Sequence, residues 1–119
     1  MKHDLKLAVK ASGHDLLGRS TAKGSLLLWT RNLRNVSFTD SFVVNGTDVG
    51  SAMTVGSGMP LNLLYDEAKK AGKFYVGGAS AATVVLADGY IQGAGHSPFS
   101  PAFGLGADNA LGTSCGIPS

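Results

Sequence analysis

Two glycine-containing loops carry residues whose types and spacing suit the binding of an anion. The first loop, Ser12-Gly13-His14-Asp15, is followed by Arg19 and Ser20. Glycine lets successive backbone N–H groups face a ligand, and arginine and serine side chains complete contacts to phosphate. These residues predict an anion-binding loop. On the same residues alone, the preferred interpretation of His14 is a loop histidine that is hydrogen-bonded to its neighbours.

The second loop runs from Gly89 to Ser97 and contains Gly93, Gly95 and His96. Its small residues would let a planar ring or a pyrophosphate lie against the backbone. His96 has the chemistry of a general base, but no nucleophile and carboxylate accompany it at an informative spacing. Structural hydrogen bonding is therefore the preferred interpretation of His96. The histidines form neither an H-x-H nor an H-E-x-x-H arrangement, so no metal site is predicted.

A third glycine motif, Gly56-Ser57-Gly58, lies between a predicted strand and a predicted helix and resembles the start of a dinucleotide fingerprint. That fingerprint needs a third glycine at position 61, which is Leu61, and a second strand that ends in an acidic residue about 20 residues later. Neither requirement is met. The motif therefore predicts a tight turn from strand to helix.

Composition indicates one loop-rich globular domain. Of the 119 residues, 44% are hydrophobic, 15% are charged and 17 are glycine. A net charge of +2 without a basic run argues against a nucleic-acid partner. No apolar run is longer than the four residues of Leu26–Trp29, far fewer than the roughly 18 that span a bilayer, and the first ten residues lack the apolar segment of a signal peptide. We therefore expect neither a nucleic-acid nor a membrane partner. The single Cys115 excludes an internal disulfide.

Hydrophobic periodicity predicts a small sheet in the first half of the chain. Strands are predicted where apolar residues alternate with polar ones or form short runs. They are Leu5–Lys10, Ser25–Thr30, Val36–Phe38, Phe42–Val44, Ala52–Val55 and, further on, Phe74–Val76. The alternation in Leu5–Lys10 is that of a half-buried strand. Asn45-Gly46-Thr47-Asp48 is a strong hairpin-turn signal.

One helix is predicted over Pro60–Ala71. Apolar residues recur with helical spacing, proline suits the first turn and Gly72 suits the position after the last turn. Residues 79–87 fit either a strand or a short buried helix. The segment Gly89–Asn109 is predicted to be mostly loop.

Three separated segments, taken together and in order, resemble one known family. They read KASGHDLLGRSTAKGSLLLWTRNL, VGGASAATV and GYIQGAGHSPFSPAFGLGADNAL. They resemble the FAD-binding domain of FAD-linked oxidases of the vanillyl-alcohol oxidase/p-cresol methylhydroxylase (PCMH) type, in the berberine bridge enzyme-like branch. The resemblance covers residues 3–111. It implies an α+β fold, a partial PCMH-type FAD-binding domain over residues 1–111 with small mixed sheets, few helices and Gly-rich loops. Residues 112–119 do not continue the family pattern.

The resemblance implies FAD as cofactor and gives each loop a role toward it. The first loop, with Ser12, Gly13, Asp15, Arg19 and Ser20, is similar to the family's pyrophosphate-side loop. His14 matches the histidine that in this family bonds covalently to the flavin. The other residues that the resemblance places near FAD are Gly77, Gly78, Thr83, Gly89, Gly93, Gly95, His96, Gly104, Ala107, Asp108 and Asn109.

The chain departs from the family pattern at three positions. Val85 and Asp88 each replace a glycine, and Ala94 replaces the second glycine of the family's GGGH. A side chain at Val85 or Asp88 would crowd a backbone that meets phosphate, and Asp88 adds a repelling negative charge. Residues 79–82 contain no cysteine for a second flavin bond, so the resemblance implies attachment through His14 alone.

The resemblance implies the FAD-binding portion of a flavin-dependent oxidoreductase that oxidises an alcohol, sugar or alkaloid-like substrate, with oxygen as acceptor. Family members are several times longer, and a separate substrate domain carries their catalytic base. A small-molecule substrate is therefore expected only with that domain, and no catalytic residue is assigned here. The alternative is a non-catalytic, truncated remnant that does not bind FAD stably. The sequons Asn35-Val36-Ser37 and Asn45-Gly46-Thr47 fit either chance or secretion of a parent protein, which is frequent in the family.

Overall fold

The computed structural model describes residues 4–113, so His3, Cys115 and most of the predicted non-family tail lie outside it. Within this range the chain forms six strands and four short helical segments. The strands are β1 Leu7–Lys10, β2 Leu26–Trp29, β3 Val36–Thr39, β4 Val43–Val44, β5 Thr47–Asp48 and β6 Ala52–Val55. The helical segments are α1 Leu61–Lys70, a π-helix at Leu86–Tyr90, α2 Ser100–Phe103 and a 3₁₀ turn at Ala107–Asn109.

The helix α1 forms the centre of the hydrophobic core. Its apolar stripe has helical spacing, and Leu61, Leu64 and Ala68 are all buried. The helix ends before Gly72, whose φ of 64° is easily reached only by glycine. Leu61 and Leu64 pack with Met59, Leu86 and Tyr90 as the buried cluster. The predicted helix is confirmed, with Pro60 lying just outside its first turn.

The strands β3 and β6 form an antiparallel sheet that packs against this core through Val36, Met53 and Val55. Between them, β4 and β5 form a hairpin closed by Asn45-Gly46. Both turn residues have positive φ, 50° and 81°, as a two-residue type I′ turn requires. The predicted hairpin turn is confirmed.

The strands β1 and β2 pair in parallel, with Leu7 opposite Leu26 and Lys10 opposite Trp29. The three sheets are each two-stranded, and across residues 4–113 each is purely parallel or purely antiparallel. The strand prediction for β1 is confirmed, but its predicted buried face is wrong. Ala8 is buried, whereas Leu7 and Val9 are exposed, because nothing within residues 4–113 covers their side of the sheet.

The second half of the chain lacks one predicted strand and contains three short helical segments that the sequence did not specify. No strand forms at Phe74–Val76, because this segment has no partner strand among the described residues. The ambiguous segment ends as a π-helix, in which the Tyr90 and Ile91 N–H groups donate to the Val85 and Leu86 carbonyls. The predicted loop beyond Gly89 contains α2 and the 3₁₀ turn. No helix within residues 4–113 is long and apolar enough to cross a membrane.

Candidate functional site

The first predicted loop begins at the carboxyl end of β1, and Thr30 and Arg31 follow the carboxyl end of β2. Because the two strands are parallel, both ends meet at one edge of the sheet, the edge at which open α/β sheets bind ligands. The Thr30 N–H donates to the Lys10 carbonyl at 2.9 Å, and Trp29 Nε1 donates to the Ala11 carbonyl at 2.9 Å. These bonds hold the start of the loop against the end of β2.

Asp15 and Arg19 are paired within the first loop. The Arg19 backbone N–H donates to Asp15 Oδ2 at 2.7 Å, and Arg19 Nε donates to Oδ1 at 2.9 Å. The Arg19 guanidinium holds the pKa of the Asp15 carboxyl below its usual range. Since Asp15 engages this guanidinium on one side, the charge of Arg19 is largely balanced within the loop.

A cleft of about 490 Å³ opens between the first loop and the segment that contains the π-helix and the second loop. The two predicted loops therefore meet in space although they are far apart in sequence. The predicted site residues that line the cleft are Ser12, Gly13, His14, Asp15, Arg19, Ser20, Gly89, Gly93, Gly95 and His96. His14 and His96 are both exposed there, and neither side chain forms a hydrogen bond to another residue of the 4–113 range. The local hydrogen bonding preferred for both histidines on sequence grounds is therefore not seen.

A second pocket, of about 360 Å³, adjoins the cleft and shares Ser12, Gly13 and His14 with it. Thr83 lines this pocket, and its hydroxyl lies 3.0 Å from that of Ser80. Of the predicted site residues, Thr83 thus shares this pocket with the first loop.

Gly77 and Gly78 line neither opening. Both are buried, and their carbonyls accept hydrogen bonds from Ser97 Oγ at 2.8 Å and Tyr65 Oη at 2.8 Å. A Cβ at Gly77 would lie 2.6 Å from the Tyr65 hydroxyl. In this structure the two glycines let the chain pass close to the half-buried rings of Tyr65 and Tyr75 and the buried ring of Tyr90.

The ring of Tyr90 leaves no room for a side chain at three neighbouring glycines. Its ring is buried, and its hydroxyl donates to the His96 carbonyl at 3.0 Å. A Cβ would lie 2.9 Å from this ring at Gly78, 2.7 Å at Gly95 and 2.6 Å at Gly106. By contrast, a Cβ at Gly89 would meet no atom within 4 Å, and one at Gly93 would meet only backbone oxygens at 3.5 Å or more. Gly89 and Gly93 are therefore the glycines of this segment that face open space in the cleft.

The predicted turn at Gly104, Asp108 and Asn109 lies away from both openings. Asp108 Oδ2 accepts from the Leu105 N–H at 2.8 Å, and Asn109 Nδ2 donates to the carbonyls of Phe103 and Leu105. These side chains close their own turn. Gly104 has a φ of 77°, which fits its position at the end of α2.

Lys10, Arg31 and Tyr90 were missed by the sequence reasoning and have clear places in the site. Lys10 and Arg31 line the second pocket, and Tyr90 lines the cleft. Lys10 ends β1 and Arg31 lies two residues after β2, and the parallel pairing of the two strands brings both cations to the edge where the first loop begins. No group of three His, Cys, Asp or Glu side chains within residues 4–113 is placed to hold a metal ion.

Comparison with known proteins shows that most of this chain is similar to FAD-binding proteins. The family model described as "FAD binding domain" matches residues 1–116. An uncharacterized FAD-linked oxidoreductase of Arthroderma benhamiae is 46% identical over 114 residues, which are 92% of this chain and 19% of that protein. The VAO-type flavoprotein oxidase VAO615 of Thermothelomyces thermophilus is 39% identical over 110 residues, again 92% of this chain and 19% of that protein.

Solved structures show the same similarity in three dimensions. The VAO-type flavoprotein MtVAO615 of Myceliophthora thermophila C1 superposes with a TM-score of 0.80 at 37% identity, over 88% of this chain and 19% of that one. A second flavoprotein of the same organism, MtVAO713, gives 0.77 at 33% identity with the same coverage. The chain thus spans about a fifth of the length of the relatives it matches.

Proposed function

Because this chain belongs to the FAD-binding domain family of the FAD-linked oxidoreductases, in the vanillyl-alcohol oxidase/PCMH superfamily, we propose that the cleft between its two glycine-containing loops holds the flavin. The observation that carries this proposal is the meeting of the two loops, which lie about 70 residues apart in sequence, around one opening of about 490 Å³. Ligand pockets of this order of size suit a planar ring system with a few convergent polar groups.

The residues present fit such a group. Gly89 and Gly93 leave the cleft wall free of side chains, so that a flat ring can approach the backbone. Tyr90, packed among Gly78, Gly95 and Gly106, keeps that wall in place from behind. Asp88 also lines the cleft, and its carboxylate disfavours a nearby diphosphate. The flavin supplies the redox chemistry of the family, and the chain's residues bind and orient it.

We further propose His14 as the covalent anchor of the flavin. Its side chain is exposed, lines both openings and is free of hydrogen bonds to the other described residues, so its ring nitrogens are available. His96 is a matched control, because it is also an exposed histidine that lines the cleft.

The test is to express the chain with FAD, precipitate it with acid and record the flavin absorbance of the washed pellet. The unchanged chain and His96→Ala should give yellow pellets, and His14→Ala a colourless one. A colourless pellet from the unchanged chain, with flavin recovered in the supernatant, would remove the anchor and leave the binding cleft. A yellow His14→Ala pellet would place the bond at another residue.

For the whole protein we propose membership of the berberine bridge enzyme-like branch and oxidation of an alcohol, sugar or alkaloid-like substrate, with oxygen as acceptor. The catalytic base is assigned to polypeptide beyond this chain, since proton abstraction needs a group positioned over the reacting atoms. Turnover by the chain alone is expected to be absent, which an oxygen electrode checks against a longer relative.

A second candidate function is a non-catalytic domain that holds no flavin by itself. The exposed apolar side chains of β1 and β2 and the carboxylate of Asp88 in the cleft favour it. Thermal melts with and without FAD separate the two candidates. A cooperative transition that rises with FAD concentration supports the flavin-binding domain, because a ligand of the native state stabilises it by mass action.

A further inference from the structure

The two N-glycosylation sequons lie in different surroundings. A sequon is the acceptor signal for an N-linked glycan, which is a bulky, solubilising group that needs a place on the surface. Asn35-Val36-Ser37 leads into β3, whereas Asn45-Gly46-Thr47 forms the turn between β4 and β5 and the start of β5. Both asparagines are exposed, so exposure alone does not distinguish them.

The tip of the β4–β5 hairpin is open around its sequon. Asn45, Gly46 and Thr47 are all exposed, and a Cβ at Gly46 would meet no atom within 4 Å. Neither the Asn45 amide nor the Thr47 hydroxyl forms a hydrogen bond with another residue of the described range. The amide and the hydroxyl of this sequon are therefore both accessible to a glycosylating enzyme.

The hydrogen bonds that fix the hairpin lie at its base. The Phe42 N–H donates to the Gly50 carbonyl at 2.8 Å. Ser41 Oγ donates to Asp48 Oδ2 at 2.6 Å, and the Gly50 N–H donates to Asp48 Oδ1 at 2.7 Å. Because none of these bonds uses the side chain of Asn45, a glycan on its amide would leave all of them in place.

The hairpin also lies apart from the core and the cleft. Of the residues from 43 to 48, none is among those that form or contact the described core cluster, and none lines either opening. Within residues 4–113, β4 and β5 pair only with each other, so their outer edges are free, and Val43 is 59% exposed. A bulky hydrated group at the tip would hinder pairing of these edges with another chain.

Asn35 is held against the turn that leads from β6 into α1. Its carbonyl accepts a hydrogen bond from the Gly56 N–H at 2.8 Å, which extends the pairing of β3 with β6 by one residue. Its Oδ1 lies so close to Gly56 that a Cβ there would be 2.4 Å away. The next residue, Val36, packs against the core. A glycan on the Asn35 carboxamide would therefore crowd the turn before α1.

We propose that Asn45 is an acceptor site for an N-linked glycan and that Asn35 is not. In the transfer, Asn45 Nδ2 bonds to the anomeric carbon of an oligosaccharide carried on a lipid diphosphate. The bond from that carbon to the diphosphate oxygen breaks, the lipid diphosphate leaves, and one amide proton passes to a base of the transferase. No oxidation or reduction takes place. The site needs no flavin, so it stands or fails separately from the proposed function.

The test uses the full 119-residue chain in a eukaryotic secretory host. The chain follows a secretion leader and carries a tag with its own reporter sequon, whose glycosylation shows that the transferase has acted. Peptide N-glycosidase in heavy-oxygen water converts each glycosylated asparagine into labelled aspartate, which peptide mass spectrometry detects. The label should be found at Asn45 and be absent from Asn35.

Three variants separate the two sequons. Thr47→Val keeps the shape and strand propensity of the side chain but removes the sequon hydroxyl, so the label at Asn45 should be lost. Thr47→Ser keeps a sequon and should keep the label. Ser37→Ala removes the other sequon and should change nothing. Removal of the glycan should leave the melting temperature of the secreted chain unchanged, since no hydrogen bond of the hairpin depends on the Asn45 amide.

Two results would overturn the proposal. One is an unlabelled Asn45 in chains whose reporter sequon is glycosylated. The other is equal labelling of Asn35 and Asn45, which would mean that the sequons alone, rather than their places in the fold, decide occupancy. Chains retained inside the host are scored in the same way, because glycan transfer precedes secretion.

Discussion

The region around α1 and the β1–β2 sheet both contain large apolar side chains, which are buried in the first and exposed in the second. In the first, Leu61 and Leu64 are 0% exposed and pack with Met59 and Tyr90. In the second, Leu7 is 62% exposed and Trp29 is 60% exposed. Parallel strands normally have both faces covered, yet within residues 4–113 this pair has neither face fully covered.

In these two regions the local sequence pattern and the burial of side chains are separate properties. Backbone hydrogen bonds form β1 and β2 as regular strands, and their short apolar pattern is typical of strands. Which side chains become buried depends on a second element packed over them. Around α1 the chain supplies that element itself, through β3, β6 and the π-helix.

The largest expected effect comes from replacing leucine in each region. Leu64→Ala should lower the free energy of unfolding by about 2–5 kcal/mol, because it removes a fully buried side chain and leaves a cavity. Leu28→Ala, in β2, should cost less than about 1 kcal/mol, since Leu28 is 53% exposed. Denaturant unfolding followed by circular dichroism measures both. Equal losses would mean that the β1–β2 face is covered in solution and would end the contrast between the two regions.

The sequence predicted individual strands and helices better than it predicted which of their faces are buried and which elements pack against them. The spacing of Leu61, Leu64 and Ala68 was enough to find α1, and Asn45-Gly46 was enough to find the hairpin. The alternation in β1 gave the strand but the wrong buried face. Phe74–Val76 has strand propensity without a partner strand, and the i to i+5 hydrogen bonds of the π-helix have no periodic signature in the sequence.

The candidate site shows the same limit. Both loops were predicted, and they line one cleft. A glycine pattern, however, indicates only that another group lies close to the backbone, and it does not distinguish a ligand from a side chain of the protein. At Gly78 and Gly95 that neighbour is the Tyr90 ring, whereas Gly89 faces open space. Lys10 and Arg31 could not be chosen from other cations without knowing that β1 and β2 are parallel.

Glycine substitutions sharpen the contrast between packed and open positions. Gly78→Ala should destabilise the chain by about 1–3 kcal/mol, because the new Cβ would lie 2.9 Å from the buried Tyr90 ring. Gly89→Ala should leave stability unchanged or raise it by up to about 1 kcal/mol, as no atom lies within 4 Å of the new Cβ. The same Gly89→Ala change should weaken FAD binding, which fluorescence quenching checks. A destabilised Gly89→Ala would show that this glycine, too, serves internal packing.

A smaller effect is expected from alkaline pH in the packed region. Burial raises the pKa of Tyr75, and the nearby Tyr65, whose ring stacks on it at 5.0 Å, raises it further. Because the fold favours the neutral phenol, this contribution is fully present below about pH 10, where an unfolded tyrosine ionises. It is lost as the pH rises through the higher pKa of the folded state. The melting temperature should therefore fall above about pH 10.

Tyr75→Phe tests the origin of that fall. The variant keeps the ring and loses a long hydrogen bond, 3.4 Å from the Tyr75 hydroxyl to the Leu61 carbonyl, so its stability at pH 8 should stay close to that of the unchanged chain. Its melting temperature should decline less steeply between pH 10 and 11. Parallel declines in the two proteins would assign the pH dependence to other groups.

The smallest effect is expected at Ala94, between the packed and the open parts of the second loop. Ala94 has a φ of 68°, a left-handed conformation that costs an L-residue about 1–2 kcal/mol and that the glycine usual in the family reaches freely. Ala94→Gly relieves this strain but gives the unfolded chain more freedom, so the net gain should be about 0.5 kcal/mol. Ala102→Gly, at an exposed position in α2, is the matched control and should lose about 0.5–1 kcal/mol. A gain in stability at position 94 and a loss at position 102 would show that backbone conformation is sufficient to explain the family's glycine at position 94, without contact with a ligand. A loss of stability at both positions would contradict that explanation.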